Sequence, residues 1–185
     1  MADWKIGIVL VAIFVAVSCS RPGNETADSD DLPPIFPDYC NVTIPANIAP
    51  LNFNVRNCEK SEVVIKGSAG AITIKSGERI RIPQSKWRKL LDDNRGKDLT
   101  VTVIALADKK WTRYRSFTMS IKSDPVDPYI AYRLIAPGYE AYSGMGIYQR
   151  DLTSYRQRPF ITNRHVKGTC MNCHSFNFGD PGKMM

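Results

Sequence analysis

Five residues near the C-terminus, Cys170-Met171-Asn172-Cys173-His174, carry the densest chemistry in the sequence. Two thiols separated by two residues and followed at once by a histidine form the Cys-x-x-Cys-His pattern of covalent haem c attachment. In that chemistry the thiols of Cys170 and Cys173 add across the haem vinyl groups, and the His174 imidazole becomes the proximal iron ligand. The chain has 5 Cys and 2 His, so an accidental match to all three positions is improbable.

Other chemistries use the same residue types. A redox dithiol places Cys-x-x-Cys in a βαβ setting, whereas here Lys167-Gly168-Thr169 precedes the pair and Asn177-Phe178-Gly179-Asp180-Pro181-Gly182 follows, which is loop chemistry. Zinc takes four nitrogen or sulfur donors, and His165, Cys170, Cys173 and His174 supply four. Cys173 and His174 are adjacent, however, and paired zinc ligands normally have at least two residues between them. A structural disulfide between Cys170 and Cys173 uses only two of the motif's residues. Haem accounts for the whole pattern. A distal iron ligand from this chain would come from His165, Met145, Met184 or Met185, with His165 the histidine available.

Haem c attachment takes place outside the cytoplasm, and the N-terminus carries an export signal. Lys5 gives the positive start, residues 6–17 are an apolar run, and Ala16-Val17-Ser18-Cys19 follows. The run is shorter than the roughly 20 apolar residues that span a bilayer. Small residues before a cysteine resemble the lipobox of bacterial lipoproteins, which implies a signal peptide over 1–18 and lipidation of Cys19. Ala16 stands where that motif more often has Leu, and a plain signal peptide with an incidental cysteine is the alternative. Acylation with two or more chains anchors stably where one does not.

With Cys19 given to lipid and Cys170 and Cys173 to haem, Cys40 and Cys58 remain. Their parity predicts a disulfide, which an exported protein can keep and which stabilises by about 3 kcal/mol. Residues 19–40, rich in Pro, Gly, Ser and acid, read as a flexible tether. The sequons at Asn24 and Asn41 are discounted beside a bacterial export signal.

These motifs need a scaffold. From 41 to 123 short stretches alternate apolar and polar residues between glycine turns: 62–66, 71–75, 79–82, 99–106 and 112–122. Phe117, Met119 and Ile121 share one face of the last. Between them, Ser85 starts a short helix with Trp87, Leu90 and Leu91 on one side. The expectation is a mainly β fold: a small β-sandwich with a short helix, followed over 124–185 by an irregular arm and a haem-attachment loop. The sandwich segment holds no nucleophile beside a histidine, no phosphate-binding glycine loop and no paired acids, so scaffold or binding surface fits it better than enzyme. A haem peroxidase would need an acid–base residue at an open distal site, and His165 is the histidine left for it.

Residues 41–185 contain 23 Lys and Arg against 12 Asp and Glu, a net of +11. Outside the cytoplasm nucleic acid is excluded as the partner. An acidic redox partner is the functional use of this charge, and a solvated basic face is the alternative. In the arm, Tyr139, Tyr142, Tyr148 and Tyr155 alternate with Arg150, Arg156, Arg158 and Arg164. They suit either the wall of a haem crevice, with Arg pairing the propionates, or an arm packed across another domain, the reading that long irregular segments favour.

Three runs, Tyr132-Arg133-Leu134-Ile135-Ala136-Pro137-Gly138-Tyr139-Glu140, Ile147-Tyr148-Gln149-Arg150-Asp151-Leu152 and Cys170-Met171-Asn172-Cys173-His174-Ser175-Phe176, resemble exported bacterial proteins in which a β-rich region and one haem c motif precede a TolB-like β-propeller. Pro34-Ile35-Phe36-Pro37-Asp38-Tyr39 and Asn47-Ile48-Ala49-Pro50-Leu51-Asn52-Phe53 are similar to the start of that family's mature region. The resemblance spans most of 34–185. The export and lipidation signals imply a periplasm-facing or outer-membrane location, and the resemblance implies a propeller as the partner that completes the haem site. With 11 residues after His174, it also implies that this chain is a fragment or that another chain covers the haem.

Overall fold

The computed structural model describes residues 26–135, 142 and 144–165. Its architecture is mainly β, with one short helix. The first sheet is built around β8 (Asp98–Ala107). On one side β8 pairs antiparallel with β5 (Lys60–Lys66), which pairs in turn with β6 (Ala71–Ser76). On the other it pairs with β9 (Lys110–Arg113) and then β10 (Phe117–Ile121). Asp108 and Lys109, with φ of 49° and 62°, make the two-residue turn between β8 and β9, the twist that a tight hairpin favours. β1 (Ala27–Asp28) and β3 (Val42–Ile44) complete seven strands, each parallel to its neighbour, β9 or β10.

Alternation explains the sheet. Val63 faces Val103, Ile65 faces Val101 and Ile72, Phe117 faces Val101, and Met119 faces Leu99. All lie on the buried face. Across that face lies a second sheet of β2 (Ile35–Phe36), β4 (Phe53–Val55) and β7 (Arg79–Ile80). Beside it is α1 (Gln84–Asp93), whose Trp87, Leu90 and Leu91 are buried. Both sheets and the helix contribute to one apolar cluster. The helix forms where the sequence predicts it, but residue 83, a proline, occupies its N-cap, and Ser85 lies inside the first turn. At its other end the fully buried Asn94 accepts from the Ala69 amide (3.0 Å) and donates to Ala69 O and Leu90 O (both 2.8 Å). This side chain fastens the helix to the β5–β6 turn. A Cβ on Gly67 would sit 2.4 Å from its oxygen, which is why glycine stands there.

Three expectations are corrected. The segment predicted as tether is part of the fold from residue 27: Ala27 and Asp28 pair with Thr112 and Arg113, and Ile35 lies in the core. Two-residue strands are too short for alternation to show. Second, Cys40 and Cys58 are free thiols instead of a disulfide. Antiparallel pairing of Ile35 with Val55 and of Phe36 with Asn54 sends the two cysteines off opposite ends of that ladder. Burial, and then Asp38, pushes the Cys40 thiol up to about 11, and burial also raises that of Cys58, whose Sγ donates to Val55 O. Neither is a reactive thiolate near neutral pH.

Third, the predicted irregular arm contains an antiparallel meander: β11 (Tyr129–Leu134), β12 (Gly146–Asp151) and β13 (Gln157–Thr162). Its strands carry Tyr, Arg and Gln where a half-buried strand would alternate with aliphatics, so the period-2 signal is absent.

Candidate functional site

Cys19, Cys170, Cys173 and His174 lie outside the described residues. What can be described is the platform formed by the residues that precede Cys170 in the sequence, up to His165.

That platform is the meander, and hydrogen bonds tie it to the sandwich. Ala49 N donates to Leu152 O (2.8 Å), Asn47 exchanges two bonds with the Val126 backbone (2.8 and 3.0 Å), and Tyr155 OH bonds Pro50 O. Tyr155 reaches the sandwich through that one bond, its ring remaining 53 % exposed. Tyr148 instead stacks on Tyr132 at 6.5 Å, and its hydroxyl donates to Gly144 O at 2.6 Å. The exit of β13 is held closely. Asn163 N donates to Met145 O (2.9 Å) and its Nδ2 to Tyr142 O (3.0 Å). A Cβ on Gly146 would meet Ile161 O at 2.1 Å, so β12 and β13 approach there as only glycine allows.

His165 closes the turn that ends this exit: its amide donates to Thr162 O at 3.0 Å. Its ring is exposed, yet Nδ1 accepts from the Thr162 amide at 3.1 Å. Thr162 Oγ1 at 3.0 Å and Thr162 O at 3.3 Å face the same nitrogen, and the tautomer decides which of them donates or accepts. The distal candidate His165 is thus held through Nδ1 at the end of the meander. Among the described residues, no three His, Cys, Asp or Glu side chains converge on a metal position.

The register of the meander places Tyr129 opposite Asp151, and Gln149 opposite Arg158, on one face. With Arg156 and Gln157 they line a cleft of ≈ 370 Å³. Arg158 Nε donates to Gln149 Oε1 at 2.7 Å, and its guanidinium lies 5.6 Å from the Phe160 ring centre. Asp151 is buried, and its carboxylate is fully occupied. Oδ1 accepts from the Thr153 amide (2.9 Å) and hydroxyl (2.7 Å), and Oδ2 from Ser154 Oγ (2.7 Å) and Arg156 Nη2 (3.2 Å). Burial raises its pKa, but these donors outweigh burial and hold it at about 2. Asp151 was missed as a structural residue, although Asp151-Leu152-Thr153-Ser154 is a legible turn signature, an Asp followed at two and three residues by hydroxyls.

Two further hollows hold less chemistry. One of ≈ 680 Å³ lies open on the solvent side of α1, where Lys89 pairs with Asp93 and Arg95 with Asp92. Another of ≈ 320 Å³ runs along the seam between Thr153 and the helix, against Trp87 and Leu91. Neither brings a nucleophile to a base.

Comparison of the chain with protein-family models, with curated proteins and with solved structures gives no match.

Proposed function

We propose that this is an exported, lipid-anchored c-type haem protein acting in electron transfer or haem-dependent sensing. The observation that carries the reading is the Cys170-x-x-Cys173-His174 run, which starts five residues after His165. Bound haem supplies one-electron iron chemistry; the chain supplies two thioether attachments and the proximal imidazole of His174. The described residues are compatible with such a group. The meander from which the motif departs exposes aromatic and aliphatic side chains, among them Tyr129, Ile130, Ile135 and Phe160, together with Arg158. A flat, largely apolar macrocycle with two carboxylates needs that mixture of surfaces.

Maturation of the full chain in cells that attach haem c tests the reading. The product should give a haem c pyridine haemochrome spectrum and retain haem on a denaturing gel, and Cys170→Ser with Cys173→Ser should abolish both. Cys19→Ala should release the protein from membranes or block its processing; normal processing with unchanged membrane association would reject lipidation.

The same exposed side chains favour a second reading, a cell-envelope binding or assembly module in which haem is structural or absent. Such a module would dock its meander against a partner such as a β-propeller. A wild-type protein that folds, stays membrane-bound and yields no haemochrome would select it.

A further inference from the structure

We infer that the open edge of β11 takes up an extended acidic segment of a partner protein as an added strand of the meander. The edge exists whichever of the two readings above holds. Two bonds fix which backbone groups face outward. Leu152 N donates to Pro128 O at 2.7 Å, and Asp151 N donates to Arg156 O at 2.9 Å. Antiparallel ladders alternate, so even-numbered residues of β12 bond to β11 and odd-numbered ones to β13. The register then turns the backbone groups of Ile130, Tyr132 and Leu134 toward β12, and those of Tyr129 and Ala131 away from it. Among the described residues no strand pairs on that outer side.

The opposite edge of the same sheet is guarded. β13 turns Gln157 and Pro159 outward; proline has no N–H to offer, and the register slips between Ile147 and Tyr148. Proline and bulges are devices by which sheets block pairing at an edge. β11 has neither: Tyr129–Leu134 keeps one register with β12 and contains no proline. Tyr129 is 53 % exposed and Ile130 47 %, and as neighbours in a strand they lie on opposite faces. An added strand would therefore cover apolar surface on both faces while its backbone pairs with Tyr129 and Ala131. Charge selects the occupant. Residues 129–165 carry five Arg against Asp151 and Glu140, a net of +3, and the exposed Arg150 stands across from Ile130. A second copy of the chain would set like charge against like. A segment with Asp or Glu at alternate positions meets these arginines instead.

The test is binding of synthetic peptides to the full chain, followed by fluorescence anisotropy and amide hydrogen exchange. The probe alternates Glu and Val over about six residues, a usual strand length. Its controls are a Lys–Val counterpart and a Glu–Val copy N-methylated throughout, which has no backbone donors. The Glu–Val peptide should bind and slow exchange at Tyr129 and Ala131, and both controls should bind about tenfold more weakly or worse. Ala131→Pro deletes an outward donor that β12 does not use, so it should keep the fold and weaken binding roughly fivefold to tenfold. Arg150→Gln should weaken it roughly twofold to fivefold and reduce its salt dependence, and it decides the matter if the proline variant fails to fold. No binding of the Glu–Val peptide, equal binding of the Lys–Val peptide, or unchanged binding in the variants would overturn the assignment. Sedimentation supplies the other arm: a wild-type dimer that Ala131→Pro converts to monomer would give the edge to a second copy and overturn the acidic segment as its occupant.

Discussion

Inward positions of the seven-stranded sheet are Val63, Ile65, Leu99, Val101, Val103 and Met119, each 0 % exposed, while in the meander Ile147 is the one aliphatic side chain buried among the described residues. The same backbone geometry is thus stabilised in two ways. In the sandwich, apolar burial does most of the work at about 25 cal/mol per Å². In the meander the ladder bonds are supported by polar groups: Asp151 capping its turn, Arg158 on Gln149, Tyr132 on Gln157. Polar support yields less net free energy per contact than apolar burial, so the meander should open at lower free energy than the sheet beside it. Segments that must accommodate a large group or partner are drawn from that less stable class.

The contrast is broken most severely in the sandwich core. Phe117→Ala removes a fully enclosed ring and should cost about 3–5 kcal/mol, read as a fall in the denaturation midpoint. Asn94→Ala leaves the Ala69 amide, Ala69 O and Leu90 O without their partner and should cost about 2–3 kcal/mol; a loss below ~1 kcal/mol would show that the helix is held to the β5–β6 turn by packing alone.

In the meander, Asp151→Asn should cost about 2 kcal/mol, confined to faster hydrogen exchange over 146–162, because charge-assisted bonds become neutral ones. Its pH dependence has a fixed sign. The carboxyl titrates at 3.8 when unperturbed and about 2 when folded, so its contribution is fully present above 3.8 and is lost as pH falls through about 2. The variant should lack that acid dependence, and equal slopes in both proteins would remove Asp151 from the argument.

Smaller effects sharpen the cysteine and histidine assignments. Cys40→Ser with Cys58→Ser should change stability by less than ~1 kcal/mol, where loss of a bridge would cost about 3, and both wild-type thiols should label after unfolding without reductant. Carbon monoxide should bind the reduced haem protein and shift its spectrum, and His165→Ala should leave that shift unchanged. A reduced spectrum insensitive to carbon monoxide until His165 is removed would make His165 the iron ligand.

Sequence reading succeeded where one face of a strand is dry. β5, β6, β8 and β10 announce themselves through branched aliphatics at every second position, and Trp87, Leu90 and Leu91 mark the inner side of α1. β1 and β2 escape because a two-residue strand has no period. The meander escapes because its pairing lies in backbone bonds that side-chain type does not report. The Cys-x-x-Cys-His pattern is legible because its spacing is local. The cleft is not: Gln149 meets Arg158 only through a register that shifts between Ile147 and Tyr148.

The parallel pairing of Ala27 with Thr112 has a mechanical consequence. If Cys19 bears lipid, eight residue steps separate the acylated residue from the first strand, a leash of about 28 Å at full extension. The sequence alone had allowed a leash reaching to residue 40, more than twice as long. A protein held so near the bilayer would meet partners standing on the same membrane far more often than those diffusing freely. Its effective concentration toward them would be set by leash length rather than by expression level. Inserting a flexible stretch between residues 19 and 27 would lengthen that leash without touching the fold.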